Sequence, residues 1–221
     1  MEEKIGILST KKLASNQKQY LLNAGFLVIA EDFINIKPIT FEIESLNDIL
    51  IFTSQNAVQN VLQYKNDLID KPVLCVGEKT KQTLENNGFQ VLHSVSDAIQ
   101  LIQVIEKEFM DKSVTFFCGN SRLNTIPEFL SKKNIKHKII EVYETIETPI
   151  KIRTKMNGLL FFSPSGVSSF TKENTITDEM CFCIGTTTAK AVEKYSKNII
   201  VANQPSVENV IIQCINYYKV N

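Results

Sequence analysis

Short apolar runs alternate along the chain with longer stretches in which apolar positions recur every three or four residues. The short runs predict buried strands, and the longer amphipathic stretches predict helices. Their alternation is typical of a parallel sheet covered by helices, so we expect an α/β fold. The predicted strands are Lys4–Ser9, Phe26–Ala30, Ile49–Thr53, Val73–Val76, Gln90–His93, Val114–Cys118, Lys138–Val142, Gly158–Ser163, Met180–Ile184 and Asn198–Val201. Helices are predicted at sites such as Asn16–Asn23, Asp97–Phe109 and Thr187–Tyr195.

The chain also carries an internal repeat, since several segments resemble others about 110 residues further on. The repeat predicts two similar α/β lobes. The sequence repeat by itself leaves open whether the lobes are consecutive or exchange their N-terminal units. The matched segments are Ile7–Lys12 with Phe117–Arg122, Glu31–Phe33 with Glu141–Tyr143, Ile51–Val58 with Leu160–Val167, and Cys75–Thr80 with Cys183–Thr188.

Two prolines mark the places where the chain is expected to cross between the lobes. Pro38 and Pro149 each end an extended segment at corresponding points of the repeat, where proline would interrupt strand pairing. We therefore predict crossings near Ile36–Phe41 and Ile146–Lys151.

Composition and charge exclude several classes of function. The chain is 43% hydrophobic and 22% charged, which is ordinary for a globular protein. Its 24 basic residues balance 24 acidic ones, which argues against a basic face for nucleic acid. The apolar runs are shorter than the ~20 residues that a membrane span needs. Met1–Lys4 runs directly into a strand without a secretory signal. We expect a cytoplasmic protein without nucleic-acid or membrane partners.

The sequence contains no recognisable metal or nucleotide motif. Its five cysteines include no CxxC pair, and its two histidines have no partners at ligand spacing. The cysteines are interpreted as buried free thiols. No glycine-rich phosphate loop follows a strand, and Ser163-Pro164-Ser165-Gly166 lacks the first glycine of a nucleophile elbow. We expect no cofactor and no metal.

Small and hydroxylated residues follow almost every predicted strand. Such corners lead into helix N-termini, whose free amides and partial positive charge attract anions. The same residues also serve as ordinary helix caps, so a single corner does not indicate a site. Corners in both lobes together favour a small anionic ligand bound between the strand ends of the two lobes. They are Ser9-Thr10, Thr53–Asn56, Gly77–Thr80, Gly119-Asn120, Ser163–Gly166 and Gly185–Thr188.

Tyr143 is the side chain of greatest chemical interest. Its counterpart in the repeat is Phe33, so the aromatic ring satisfies packing and the hydroxyl is additional. One interpretation is a strand tyrosine whose tip lies in water. The other is a phenol that points into the ligand cleft, where its ordinary pKa of ~10 would keep it protonated as a general acid.

At these residues the chain resembles the uroporphyrinogen-III synthase family. The matching motifs occur in family order along nearly the whole chain. They are Phe52–Val58, Val76–Thr80, Gly119–Arg122, Val142–Thr145, Phe162–Val167 and Ile184–Ala189.

The resemblance implies a monomer with two flavodoxin-like lobes, one of residues 1–37 plus 149–221 and one of residues 40–145, joined by a two-stranded connection with exchanged connectivity. It further implies a cofactor-free lyase of heme and porphyrin biosynthesis. The enzyme would cyclise linear hydroxymethylbilane with loss of water and inversion of the last pyrrole ring. Transient contact with the preceding enzyme of the pathway is a further expectation.

The resemblance also assigns roles to individual residues. Tyr143 would assist departure of the hydroxyl group. Two positions depart from the family pattern: Lys11 stands where arginine is common, and Thr186 where proline is common. The residues expected to contact the substrate are Thr10, Lys11, Thr53, Ser54, Asn56, Ala57, Gly77, Thr80, Gly119, Arg122, Ser163, Ser165, Gly166, Gly185, Thr187 and Thr188.

Two alternatives to the enzyme remain open at this point. The first is a non-catalytic, two-lobed binding or sensor module for a small polyanionic ligand. The intact Tyr143 and the threonine corners favour the enzyme over this module. The second is a nucleotide-dependent Rossmann enzyme, and the missing glycine fingerprint argues against it.

Overall fold

The structure is a computed structural model that describes residues 4–220. Strands and helices alternate along this part of the chain, as the hydrophobic pattern predicts. The strands are β1 (Gly6–Ser9), β2 (Leu27–Ala30), β3 (Ile34–Pro38), β4 (Ile49–Phe52), β5 (Val73–Val76), β6 (Val91–Val95), β7 (Val114–Gly119), β8 (His137–Glu147), β9 (Gly158–Phe161), β10 (Met180–Cys183) and β11 (Ile199–Val201). The helices are α1 (Ser15–Asn23), α2 (Gln55–Val61), α3 (Lys65–Leu68), α4 (Glu78–Asn86), α5 (Ala98–Glu108), α6 (Thr125–Lys132), α7 (Pro164–Glu173), α8 (Thr186–Val192) and α9 (Val207–Val220), with a 3₁₀ turn at Leu62–Tyr64.

The described residues divide into two compact units. Unit 1 contains the residues up to Asn35 together with those from Ile146 onwards, and unit 2 is Ile36–Thr145. The divisions fall inside β3 and β8, so each of these strands contributes residues to both units.

Unit 1 is built on a five-stranded sheet in the order β11-β10-β9-β1-β2. All four neighbouring pairs are parallel. The sheet therefore combines strands from both ends of the chain, and β1 lies between β2 and β9. This arrangement confirms the exchanged connectivity that the family resemblance implies.

Unit 2 contributes most of a six-stranded sheet in the order β3-β8-β7-β4-β5-β6. The pairs from β8 through β6 are parallel, and β3 lies at the edge beside β8. The mixed α/β class with two mostly parallel sheets is thus confirmed.

The two sheets confirm the internal repeat. Reading β2-β1-β9-β10-β11 in unit 1 against β8-β7-β4-β5-β6 in unit 2 pairs each strand with its counterpart in the sequence repeat. Phe33 packs in a cluster with Phe161 and Val167. Tyr143 packs against a cluster that contains Phe52 and Val58, the counterparts of those two residues.

The central strands are buried on both faces because helices cover each sheet on two sides. Leu50 and Phe52 of β4 pack into one cluster, whereas Ile49 and Ile51 pack into another on the opposite face. Such strands read as continuous apolar runs, which explains why the sequence shows them clearly.

β8 departs most from its predicted bounds. It runs from His137 to Glu147, well past the predicted end at Val142, because its later residues pair beside β3 and beyond the end of β7. The five cysteines are free and buried, as interpreted from the sequence. Within residues 4–220, no helix is both long and apolar enough to cross a membrane.

Candidate functional site

The ring of Tyr143 lies against the backbone of Gly119 at the end of β7. The register between β7 and β8 shifts after Cys118, so that Cys118 pairs with Glu141 but Gly119 pairs with Tyr143. A β-carbon at position 119 would lie 2.4 Å from Tyr143 Cε2 and 2.9 Å from its hydroxyl oxygen. Only glycine therefore permits this approach.

Ser54 joins the same group through its hydroxyl. It is the N-cap of α2, and its Oγ accepts a hydrogen bond from the Asn56 amide at 3.1 Å. Burial raises the pKa of the Tyr143 phenol, and hydrogen bonding to the Ser54 hydroxyl partly opposes that rise. The phenol therefore remains protonated at neutral pH. In unit 2 the structure brings together three residues predicted from the sequence: Tyr143, Gly119 and Ser54.

Arg122 is turned toward its own unit. Its guanidinium forms an ion pair with Glu141 on β8, while its Nε is buried without a hydrogen-bond partner. Burial raises the pKa of the neighbouring Cys118 thiol to about 11, and the positive charge of Arg122 opposes this rise. A ligand that binds Arg122 would have to compete with the Glu141 carboxylate.

The remaining predicted residues of unit 2 differ in how open they are. Gly77 is the N-cap of α4 and has a φ of 90°, a left-handed conformation that favours glycine; its amide donates to Val95 O at 2.8 Å. Thr80 is buried, whereas Thr53 and Asn56 are half-buried. Ala57 is fully buried in the core, and its amide donates to the Ser54 carbonyl oxygen at 3.1 Å.

In unit 1, the end of β1 packs on the start of α7. The Thr10 hydroxyl donates to the Leu160 carbonyl oxygen at 2.9 Å, which commits this side chain to the sheet. The Ser163 hydroxyl caps α7 by accepting from the Gly166 amide at 3.0 Å. A β-carbon at Gly166 would lie 3.4 Å from both hydroxyl oxygens. The structure thus brings Thr10, Ser163 and Gly166 together; Lys11 is exposed beside them.

The corner after β10 is open around Gly185. Gly185 is the N-cap of α8, and a β-carbon there would meet no atom within 4 Å. Thr187 is exposed and Thr188 is buried, while Ser165 at the α7 corner is half-buried. The first amides of α8 have no acceptor within the helix, as at any helix start.

Asn120 lies in one of the predicted corners, although the sequence indicates no role for its side chain. In the structure this side chain accepts a hydrogen bond from the Thr145 amide at 2.9 Å. Asparagine directly after a strand is a known signal for a side-chain-to-backbone bond, although it does not identify the partner. Among residues 4–220, no three His, Cys, Asp or Glu side chains are grouped as metal ligands would be.

Comparison with solved structures shows a shared fold along almost the entire chain. The uroporphyrinogen-III synthetase of Helicobacter pylori 26695 superposes with a TM-score of 0.70 at 19% identity, covering 97% of this chain and 100% of that one. A mutant uroporphyrinogen III synthase of the extremely thermophilic bacterium Thermus thermophilus gives a TM-score of 0.73 at 11% identity, covering 98% and 100%.

Sequence comparisons add one curated relative and a family assignment. The chain is 26% identical over 176 residues to Uncharacterized protein RP474 of Rickettsia prowazekii (strain Madrid E). That match covers 77% of this chain but only 61% of the relative's length. The family model described as Uroporphyrinogen-III synthase HemD matches residues 15–212, which is most of the chain. The chain therefore belongs to the uroporphyrinogen-III synthase family.

Proposed function

We propose that the protein is an active uroporphyrinogen-III synthase. In this reaction, a lyase step removes the hydroxyl group of hydroxymethylbilane as water. The last pyrrole ring is then inverted, and the macrocycle closes. The observation that carries the proposal is the Tyr143 phenol, packed against Gly119 and beside the Ser54 hydroxyl at the strand ends of unit 2.

The reaction requires little covalent chemistry from the protein. Loss of hydroxide from a pyrrolylmethanol gives a delocalised azafulvene cation, which can also form without an enzyme. A protonated phenol beside the departing oxygen would donate the proton that turns hydroxide into water. Burial keeps the Tyr143 pKa above its ordinary value, so the proton is present throughout the neutral range.

Positioning would supply the remainder of the catalysis. Attack must occur at the substituted carbon of the last ring, through a spirocyclic intermediate, for the ring to be inverted. Backbone amides at the strand ends of each unit are suited to donate hydrogen bonds to the substrate's carboxylates, since helix starts attract anions. Of the predicted contacts, Lys11 and Thr187 are exposed, and the space around Gly185 is open.

The decisive experiment supplies hydroxymethylbilane from a coupled reaction and separates the type-I and type-III porphyrin isomers after oxidation. We expect the type-III isomer in excess. If only the type-I isomer forms, as it does without enzyme, the proposal fails. Tight binding of a linear tetrapyrrole or another polyanion in the same preparation would then support the non-catalytic binding module.

Further parts of the proposal follow from the same resemblance. We propose a monomer that uses no cofactor, with lobes of residues 1–37 plus 149–221 and of residues 40–145. Transient contact with the enzyme that supplies hydroxymethylbilane would shorten the lifetime of that reactive compound in free solution. Measuring type-III yield with the preceding enzyme present at increasing concentration tests this contact.

A further inference from the structure

β8 continues beyond the end of its neighbour β7. β7 ends at Gly119, whereas β8 extends to Glu147. The register shift after Cys118 brings Tyr143 level with Gly119, the last residue of β7. From that point β7 offers no further strand partners, so the backbone that carries Tyr143 needs another source of hydrogen bonds on this side.

Asn120 provides those bonds, to the carbonyl of Tyr143 itself and to the backbone amide two residues later. Its backbone amide donates to the Tyr143 carbonyl oxygen at 3.2 Å, and its side-chain Oδ1 accepts from the Thr145 amide at 2.9 Å. The Ser121 hydroxyl also donates to Oδ1 at 3.1 Å. Two donors therefore hold the oxygen end of the Asn120 side-chain amide in the same orientation. We call the bonds to Tyr143 and Thr145 the Asn120 bridge.

We propose that Asn120 is a positioning residue for Tyr143, acting through the Asn120 bridge and not through contact with the substrate. This inference rests on the proposed function, in which Tyr143 is the proton donor. Gly119 lets the ring approach, and the bridge fixes the backbone from which the ring projects. A small shift of a catalytic group can cost a large part of the rate, so a second residue that fixes its backbone matters for turnover.

The first test compares two variants at position 120 with one control. Asn120→Ala removes Oδ1 and should lower kcat about three- to tenfold, the effect of losing one net hydrogen bond, with KM nearly unchanged. Asn120→Asp keeps an oxygen acceptor and should recover turnover to within about twofold. Asn124→Ala is the matched control, because the Asn124 side chain makes no capping bond in the same loop. Loss in the control, or no recovery in Asn120→Asp, overturns the inference.

The second test is a double-mutant cycle. If Asn120 acts through Tyr143, Asn120→Ala should have little further effect in a chain that already carries Tyr143→Phe. A full additional loss in that background would show that Asn120 acts by another route.

The third test does not depend on turnover. With ¹³Cζ-labelled tyrosine, the Tyr143 resonance is assigned by its loss in Tyr143→Phe and followed as the pH is raised. Burial is the main cause of the raised pKa, so Asn120→Ala should let the phenol titrate at lower pH. An unchanged titration overturns the inference even in a fully active enzyme. Absence of type-III product in the wild type instead overturns the proposed function.

Discussion

Gly119 and Tyr143 occupy adjacent positions on two parallel strands, and the tyrosine ring fills the space of the missing glycine side chain. A β-carbon would come within 2.4 Å of the ring. Gly119→Ala should therefore displace the ring, lower the free energy of unfolding by about 1–3 kcal/mol and reduce type-III synthesis. Denaturant unfolding and the isomer assay measure the two effects.

Gly185 supplies the control for this prediction. A β-carbon there meets no atom within 4 Å, and the φ of −171° suits any residue. Gly185→Ala should change the free energy of unfolding by less than about 1 kcal/mol. Equal destabilisation by both substitutions would contradict the steric argument.

Removal of the Tyr143 hydroxyl should separate catalysis from packing. Phenylalanine occupies the corresponding position, Phe33, in unit 1, so Tyr143→Phe should fold normally. Turnover should fall roughly 10- to 100-fold, at or below the lower end of the range for general acid catalysis because the substrate ionises readily. Steady-state kinetics and thermal unfolding test this.

Tyr64→Phe is the matched control for Tyr143→Phe. In the wild type, the Tyr64 hydroxyl donates to the Phe41 carbonyl oxygen at 2.8 Å. The Tyr64→Phe variant therefore removes a tyrosine hydrogen bond from unit 2. We expect wild-type turnover from Tyr64→Phe. An unfolded Tyr143→Phe chain would instead indicate that the phenol is structural.

Alkaline pH should destabilise the protein through its buried thiols. Burial raises the pKa of Cys118 to about 11 and of Cys181 and Cys183 to about 12, from a usual value near 9. The unfolded chain therefore loses these protons first. The contribution of these thiols to the free energy of unfolding is fully present below about pH 9. It is lost as the pH rises toward their pKa values in the folded protein, by up to about 1.4 kcal/mol per pH unit for each thiol.

Urea unfolding at several values between about pH 8 and pH 10.5 measures this slope. Cys183→Ala removes one titrating thiol. The decrease of unfolding free energy with pH should therefore be smaller by the contribution of one proton, whatever the effect of the substitution on stability at neutral pH. A midpoint that stays constant over this range would contradict the burial of the thiols.

Asn174 should be a strong structural anchor in unit 1. Its side-chain amide donates to Ile150 O at 2.8 Å and to Phe170 O at 3.0 Å, and its Oδ1 accepts from the Ile152 amide at 2.8 Å. Asn174→Ala leaves these backbone groups without partners and should cost about 1–3 kcal/mol. Asn216→Ala, at an exposed position on α9, should change stability by less than about 0.5 kcal/mol. Similar losses in both variants would contradict the prediction.

The strands, the helices and their duplication can be predicted from the amino-acid sequence alone. Strands buried on both faces must be continuously apolar, so β4, β5 and β9 are legible without a structure. The repeat predicted two similar lobes, and the two sheets have matching strand orders because each copy carries the same ordered set of strands. Tyr143 was singled out because its counterpart is phenylalanine.

The residues that contact Tyr143 could not be predicted from the sequence and depend on how the strands pack. The contacts of Tyr143 with Gly119 and Ser54, and the bond that the Thr145 amide donates to Asn120 Oδ1, join segments that are far apart in the chain. They depend on a one-residue register shift and on where β7 ends, and no local pattern encodes either. The pattern of apolar residues predicts which residues of each strand are buried. The alignment of neighbouring strands, in contrast, is set by the packing of the whole sheet.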